Sequence, residues 1–156
     1  MAFDTDSQAA LAALLDYAKK AGADASEASL ASRESISAEV RMGELEGMER
    51  EEGRSVALRA FIGKRQAAAS STDLSAKGLQ ALAQRVVEMA QAAPEDPYCG
   101  LLEARYRASG ASVDLEQSDT ARPNPEQLLD LAKRCEAASL AIPGIANSSG
   151  GGASFD

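Results

Sequence analysis

Histidine is absent from the 156 residues. That removes the commonest general base and the commonest metal ligand. It also excludes any Ser-His-Asp or Cys-His arrangement within the chain. Tryptophan is absent too, and three Phe and three Tyr supply all the rings. A core here must be built from Leu, Val, Ile, Met and Ala, packed closely rather than filled by aromatics. Cysteine is limited to Cys99 and Cys135. Two cysteines far apart form neither a zinc site nor a disulfide framework, so free thiols in a reducing cytosol are expected. Positive charge is scarce: 16 Lys and Arg face 24 Asp and Glu, for a net charge of -8. The basic residues are scattered, with close pairs only at Lys19-Lys20, Lys64-Arg65 and Lys133-Arg134. Nucleic acid, which requires a basic footprint, is therefore not an expected partner. No apolar run approaches the length of a membrane span, so no membrane partner is expected either. The start, Met1 to Asp6, has no basic stretch followed by an apolar one, so no secretory signal is read and a cytoplasmic protein is expected. Asn147-Ser148-Ser149 matches a glycosylation sequon, which carries no meaning without secretion.

What is present reads as a single domain. A helix is predicted over about 7–21, with Leu11, Leu14, Leu15 and Ala18 on one face, acidic and hydroxyl residues at its start and Gly22 as its stop. Short strands joined by turns follow. Ser35 to Met42 alternates through Ile36, Ala38, Val40 and Met42, the mark of a strand with one wet face and an antiparallel sheet. A weaker strand precedes it over about 27–33. Gly43 marks a hairpin. Residues 44–51 change apolar phase at Gly47, where a bulge is predicted. A turn is predicted at Glu52-Gly53, a strand over 55–62, a two-residue hairpin at Gly63-Lys64 and an Ala-rich strand over 65–71. The regular spacing predicts a meander of four or five antiparallel strands.

The remainder is helical. Asp73 or Ser75 starts a helix to about Ala92 with Leu79, Leu82, Val86 and Met89 as its seam. Pro94 and Pro97 open a long polar loop that reaches about Pro123. Asn124, Pro125 and Gln127 form a strong helix start, with Leu128, Leu131, Ala132 and Cys135 as the expected inner face and Pro143-Gly144 as the stop. The fold class expected is α+β: an antiparallel meander with helices packed on one face. The division expected is a domain over 1–146 and a Gly/Ser-rich connector over 147–156. Phe155 looks like the first apolar residue of a further strand, so the end is either a frayed tail or the front part of something longer.

No residue in the chain is assigned a catalytic, cofactor-binding or metal-binding role. Ser70 to Asp73 is read as a helix cap rather than a binding loop. Gly150-Gly151-Gly152 is read as a linker, because no Lys-Ser/Thr follows as an anion cradle would need. Glu44, Glu46, Glu49, Glu51 and Glu52 are read as a solvated strand face, paired across strands with Arg41, Arg50, Arg54 and Arg59. Cys99 is assigned a packing role and Cys135 a place in the core. An open sheet edge could accept an extended peptide through main-chain hydrogen bonds, or be covered by the long loop or a partner.

Five segments together resemble the TldD/PmbA family, whose members are named for a modulator of DNA gyrase and a peptide-antibiotic maturation factor. They are Ala18 to Glu27, Gly43 to Glu46 with Glu51 to Arg59, Ala69 to Ser75, Pro94 to Leu101, and Asn147 to Gly151. The last is similar to the family's Asn-Ser-Glu-Gly-Ala segment. Ser70 to Ser75 and Asp96 to Gly100 look more like the PmbA (TldE) branch. The resemblance covers nearly the whole chain. It implies an N-terminal domain of a two-subunit metalloprotease that degrades unfolded or modified peptides. In that assembly a TldD-type subunit carries zinc on a His-Glu-x-x-x-His helix, and the PmbA-type subunit helps enclose the peptide. With no histidine here, no zinc-site residue carries over. Two other readings stand beside this one: a stand-alone protein- or peptide-binding α+β module unrelated to proteolysis, and a TldD-like protein whose zinc helix lies beyond Asp156.

Overall fold

In the computed structural model the described residues are 5–107, 110, 115–116 and 121–156. They form a four-stranded antiparallel sheet in the order β3-β2-β1-β4 with three α-helices packed against it, an α+β fold. The elements in chain order are α1 (Thr5–Lys20), β1 (Ala25–Arg41), β2 (Glu44–Ile62), β3 (Arg65–Ser71), α2 (Ala76–Ala92), a 3₁₀ turn (Ala104–Tyr106), α3 (Pro125–Leu140) and β4 (Gly151–Phe155). By contact the chain divides into two units. The first holds Met1–Ser32 and Arg54–Asp114, the second Arg33–Gly53 and Leu115–Asp156. The middle of the expected long loop (108–109, 111–114 and 117–120) and Asp4 at the first helix start lie outside the described residues.

The first unit is organised by small and branched aliphatic side chains. α1 ends in a Schellman motif. The Ala23 N–H donates to the Ala18 carbonyl at 3.0 Å, the Gly22 N–H donates to the Lys19 carbonyl at 3.1 Å, and Gly22 has φ +106°. Leu14 and Ala18 from α1 meet Val56, Leu58 and Ala60 from β2 and Leu79, Leu82, Ala83, Val86 and Val87 from α2. The seam of α2 thus turns onto Ala83, Val87 and Ala90, and Met89, expected in it, is 44% exposed. Cys99 is buried, as expected of a packing role. The β2–β3 hairpin pairs Val56 with Ser71 through Ile62 with Arg65. At its two-residue turn Gly63 has φ +56° and Lys64 does not share the positive φ, as a type II′ turn requires. Asp24 braces that turn. Its carboxylate accepts the Gly63 N–H at 2.7 Å, and its own N–H donates to the Phe61 carbonyl at 2.9 Å.

Two boundaries differ from expectation. The segments expected as separate strands over 27–33 and 35–42 are one 17-residue strand, and those over 44–51 and 55–62 are one 19-residue strand. No turn forms at Glu52-Gly53: both residues lie within the continuous strand β2. The apolar alternation lapses there because residues 44–54 are exposed, apart from half-buried Gly47. A solvated strand rich in Glu and Gly has the composition of a loop.

The second unit has a thinner core. Ile36 and Ala38 from β1 pack with Leu128 from α3, and Leu129 and Ala153 border them. α3 opens with the expected capping box: the Gln127 N–H donates to Asn124 Oδ1 at 2.9 Å, and the Asn124 N–H donates to Gln127 Oε1 at 2.8 Å. Gly151–Phe155, within the segment expected to be a connector, is strand β4. It pairs with β1 from Val40↔Gly151 to Ile36↔Phe155. Glycine is required there. A Cβ on Gly151 would lie 2.6 Å from the Ala132 carbonyl oxygen, and a Cβ on Gly150, at φ +133°, would lie 2.9 Å from the Val40 carbonyl oxygen. The glycines let a strand lie directly against α3 and β1 rather than loosening the chain.

Candidate functional site

The Ser70–Ser75 segment is a capping relay. The Asp73 N–H donates to Ser71 Oγ at 3.1 Å, the Ser75 N–H to Asp73 Oδ1 at 2.9 Å, and the Gly78 N–H to Ser75 Oγ at 3.1 Å. Hydrogen bonds to Ser75 hold the Asp73 carboxyl below its ordinary pKa, since they favour its charged form. Ser75 is the N-cap of α2. The polar run is thereby consumed by helix initiation. The relay is tight enough to reverse a familiar substitution rule. Gly→Ala inside a helix ordinarily stabilises by about 0.5–1 kcal/mol. A Cβ on Gly78 would instead lie 2.3 Å from Asp73 Cγ and 2.7 Å from the Asp73 backbone oxygen. Gly78→Ala is expected to destabilise the chain by about 1–3 kcal/mol in urea unfolding, the usual cost of overpacking. A gain in stability would contradict the geometry.

The second polar constellation lies at the tip of the β1–β2 hairpin, where the sequence predicts a turn but no site. Glu136 on α3 is 2% exposed. Its Oε1 accepts the Met42 N–H and its Oε2 the Gly43 N–H, both at 2.8 Å. Met42 and Gly43 are the turn residues, with φ +51° and +82°. Positive φ at both positions defines a type I′ turn. Each carboxylate oxygen thus holds one N–H of the turn. The Gly43 N–H is the main influence keeping the Glu136 carboxyl below the usual range. The Met42 N–H, the Ser148 hydroxyl and the Arg41 charge add to it, while burial acts in the opposite direction. The buried face of α3 is Leu128, Ala132 and Glu136. Leu131 and Cys135, both expected inside, are exposed. A helix stripe of i, i+4, i+8 that ends on a carboxylate is not recognised as a core face, so the pattern was read one residue too early. The only available sequence signal was Glu136 itself, four residues beyond Ala132.

A depressed carboxyl pKa stabilises the folded state above the unfolded value, and that contribution is lost as pH falls through the folded value. Glu136 should therefore contribute fully above about pH 4.5, its ordinary value, and lose its contribution below that. Glu136→Gln, whose amide can accept only one of the two N–H groups, is expected to lower the melting temperature at pH 7. It should also flatten the acid side of the stability profile. An unchanged acid limb would count against the clamp.

The acidic strip is partly paired. Arg50 bridges Glu34 at 3.0 Å and Glu52 at 2.6 Å, and Arg122 reaches Glu34 at 2.6 Å. Arg59 pairs with Glu27 on the neighbouring strand. These exposed pairs each contribute at most a few tenths of a kcal/mol to about 1 kcal/mol. Among the described residues no group of three or more Cys, Asp or Glu is placed to hold a metal ion, and no helix is long and apolar enough to cross a membrane. The strand order leaves β3 and β4 at the sheet edges.

Residues 26–90 match the family described as PmbA/TldA metallopeptidase domain 1. Over 129 residues the chain is 30% identical to the metalloprotease PmbA of Escherichia coli O157:H7, covering 82% of this chain and 28% of that protein. The chain thus spans little more than a quarter of that curated relative. A crystal structure from Bacteroides thetaiotaomicron, described as a modulator of DNA gyrase, superposes with a TM-score of 0.81 at 21% identity, over 97% of this chain and 34% of that one. TldE from Thermococcus kodakarensis superposes with a TM-score of 0.70 at 17% identity, over 93% and 32%. At these identities the superpositions establish the fold, and the sequence matches carry the kinship: the chain belongs to the PmbA/TldD family, of which it carries the first domain.

Proposed function

We propose that this chain is the non-catalytic assembly and substrate-enclosing part of a PmbA/TldD-type metallopeptidase system acting on peptides in the cytoplasm. The observation that carries the reading is the 30% identity to a metalloprotease PmbA across 82% of a chain that has no histidine. A domain without imidazole cannot itself supply a histidine-ligated zinc site. The ion and the hydrolysis are therefore assigned to residues outside this sequence, on a TldD-type partner subunit or a downstream region, and unfolded or modified peptides are the proposed substrates. The PmbA branch is the one proposed, because the curated relative is a metalloprotease PmbA and Ser70 to Ser75 and Asp96 to Gly100 resemble that branch.

The test is reconstitution. The purified chain is expected to hydrolyse no unstructured peptide, to retain no zinc by elemental analysis after gel filtration, and to form a stoichiometric complex with a separately purified TldD-type subunit. Peptide cleavage that follows the chain through purification, without that subunit, would overturn the reading.

A further inference from the structure

We propose that the tip of the β1–β2 hairpin is a preorganised docking element for a protein surface that offers Lys and Arg around an apolar groove, namely the partner subunit of the assembly proposed above; the inference rests on that reading. Three observations within the second unit carry it.

Met42 occupies a turn position that its own chemistry disfavours. A type I′ turn needs positive φ at both central residues, and Asn, Asp and Gly meet that need with least strain. Methionine stands there at φ +51° with 54% of its surface exposed, so neither turn formation nor burial accounts for it. Leu45 and Met48 on the same hairpin are 50% and 41% exposed. Met42 and Leu45 line one shallow groove, so at least these two form a contiguous patch rather than scattered exposure. Methionine is also the side chain best able to adapt to a partner's contour.

The charge around the apolar tip is predominantly negative, although Arg41 also lines the groove. Residues 39–52 contain six glutamates and two arginines, a net charge of -4. Glu44 and Glu46 border the shallow groove that also includes Met42 and Leu45. A second copy of this chain would bring -4 against -4, and like charges placed together oppose association. A basic rim around an apolar recess is the complementary surface. It would gain both apolar contact and electrostatic steering.

The tip is also held in place. The Glu136 carboxylate holds both turn N–H groups from a buried position on α3. An element already fixed in its bound shape loses less entropy when it associates. That accounts for spending a buried carboxylate on an otherwise exposed turn.

The experiment titrates the 156-residue chain calorimetrically against the separately purified TldD-type subunit of the same organism. Met42→Asn restores favoured turn chemistry while removing the apolar knob. It is expected to leave the melting temperature unchanged or higher and to weaken binding at least about tenfold, the range of an interface hot spot. Glu44→Lys with Glu46→Lys is expected to weaken binding and to reduce its dependence on salt. Binding by either variant within about twofold of the unaltered chain would overturn the hairpin assignment while leaving the assembly reading standing. No binding by the unaltered chain would overturn the assembly reading and the assignment together. A dimer of this chain in sedimentation that Met42→Asn dissolves would overturn the assignment by making a second copy the occupant.

Discussion

Gly151→Val is expected to strip β4 from the sheet. The new Cβ would lie 2.6 Å from the Ala132 carbonyl oxygen and 3.0 Å from Glu136 Cβ. The nearest of these atoms is backbone in the middle of α3, so no flexible side-chain end can give way. Overpacking of this kind costs about 1–3 kcal/mol and occasionally more. The load falls on the thinner core, whose buried cluster is Ile36, Ala38 and Leu128. Loss of β4 would also remove the ladder from Val40↔Gly151 to Ile36↔Phe155. Amide hydrogen exchange over 151–155 should therefore approach the unstructured rate, and the melting temperature should fall. Protected amides in that segment and an unchanged melting curve would show that the close approach of β4 to α3 is wrong. Gly151→Ala should give a smaller effect in the same direction, because its Cβ meets the same oxygen.

Leu58→Ala is expected to be the most damaging large-to-small change in the first unit. Leu58 is 1% exposed and belongs to the cluster shared by α1, β2 and α2. Such truncations cost about 2–5 kcal/mol, depending on how far the surroundings collapse into the space. Collapse is hindered here because Ala18, Ala60, Ala67, Ala69 and Ala83 belong to or border the same cluster. An alanine has no rotamer with which to fill a void, so a cost in the upper half of that range is expected. A domain of this size has a total stability of about 5–15 kcal/mol, so the loss should be large in urea unfolding at constant slope. Leu58→Met, which conserves volume, should cost less than about 1.5 kcal/mol. A loss below about 1 kcal/mol for Leu58→Ala would mean that the cluster is not close-packed.

Both predictions depend on features of different legibility. Leu58 was readable: Val56, Leu58, Ala60 and Ile62 alternate, and alternation requires one buried face. The helix starts at Ser75 and Asn124 and the turns at Gly43 and Gly63 were readable for the same reason, since each signal and its physical effect lie within a few residues. The cap reading of Ser70 to Asp73 was readable as well, and it proved to be a relay of three side-chain caps. The long exposed stretch of β2 was misread, because a strand without a buried face loses the alternation by which strands are recognised. Gly150 and Gly151 were misread because a glycine that admits a neighbouring backbone and a glycine that frees a chain are spelled alike.

From sequence alone came the exclusions and the local architecture: without histidine there is no imidazole for a base or a zinc ligand, and the hydrophobic periods and caps set the helices and most of the strands. Tertiary structure alone decided that Glu136 points inward to hold a turn 93 and 94 residues earlier in the chain, and that a glycine-rich tail becomes an edge strand. The physical reason is range. Periodicity and capping act over a turn of helix or a pair of strand residues, whereas a buried carboxylate and a close backbone contact acquire their meaning only from partners that folding brings to them.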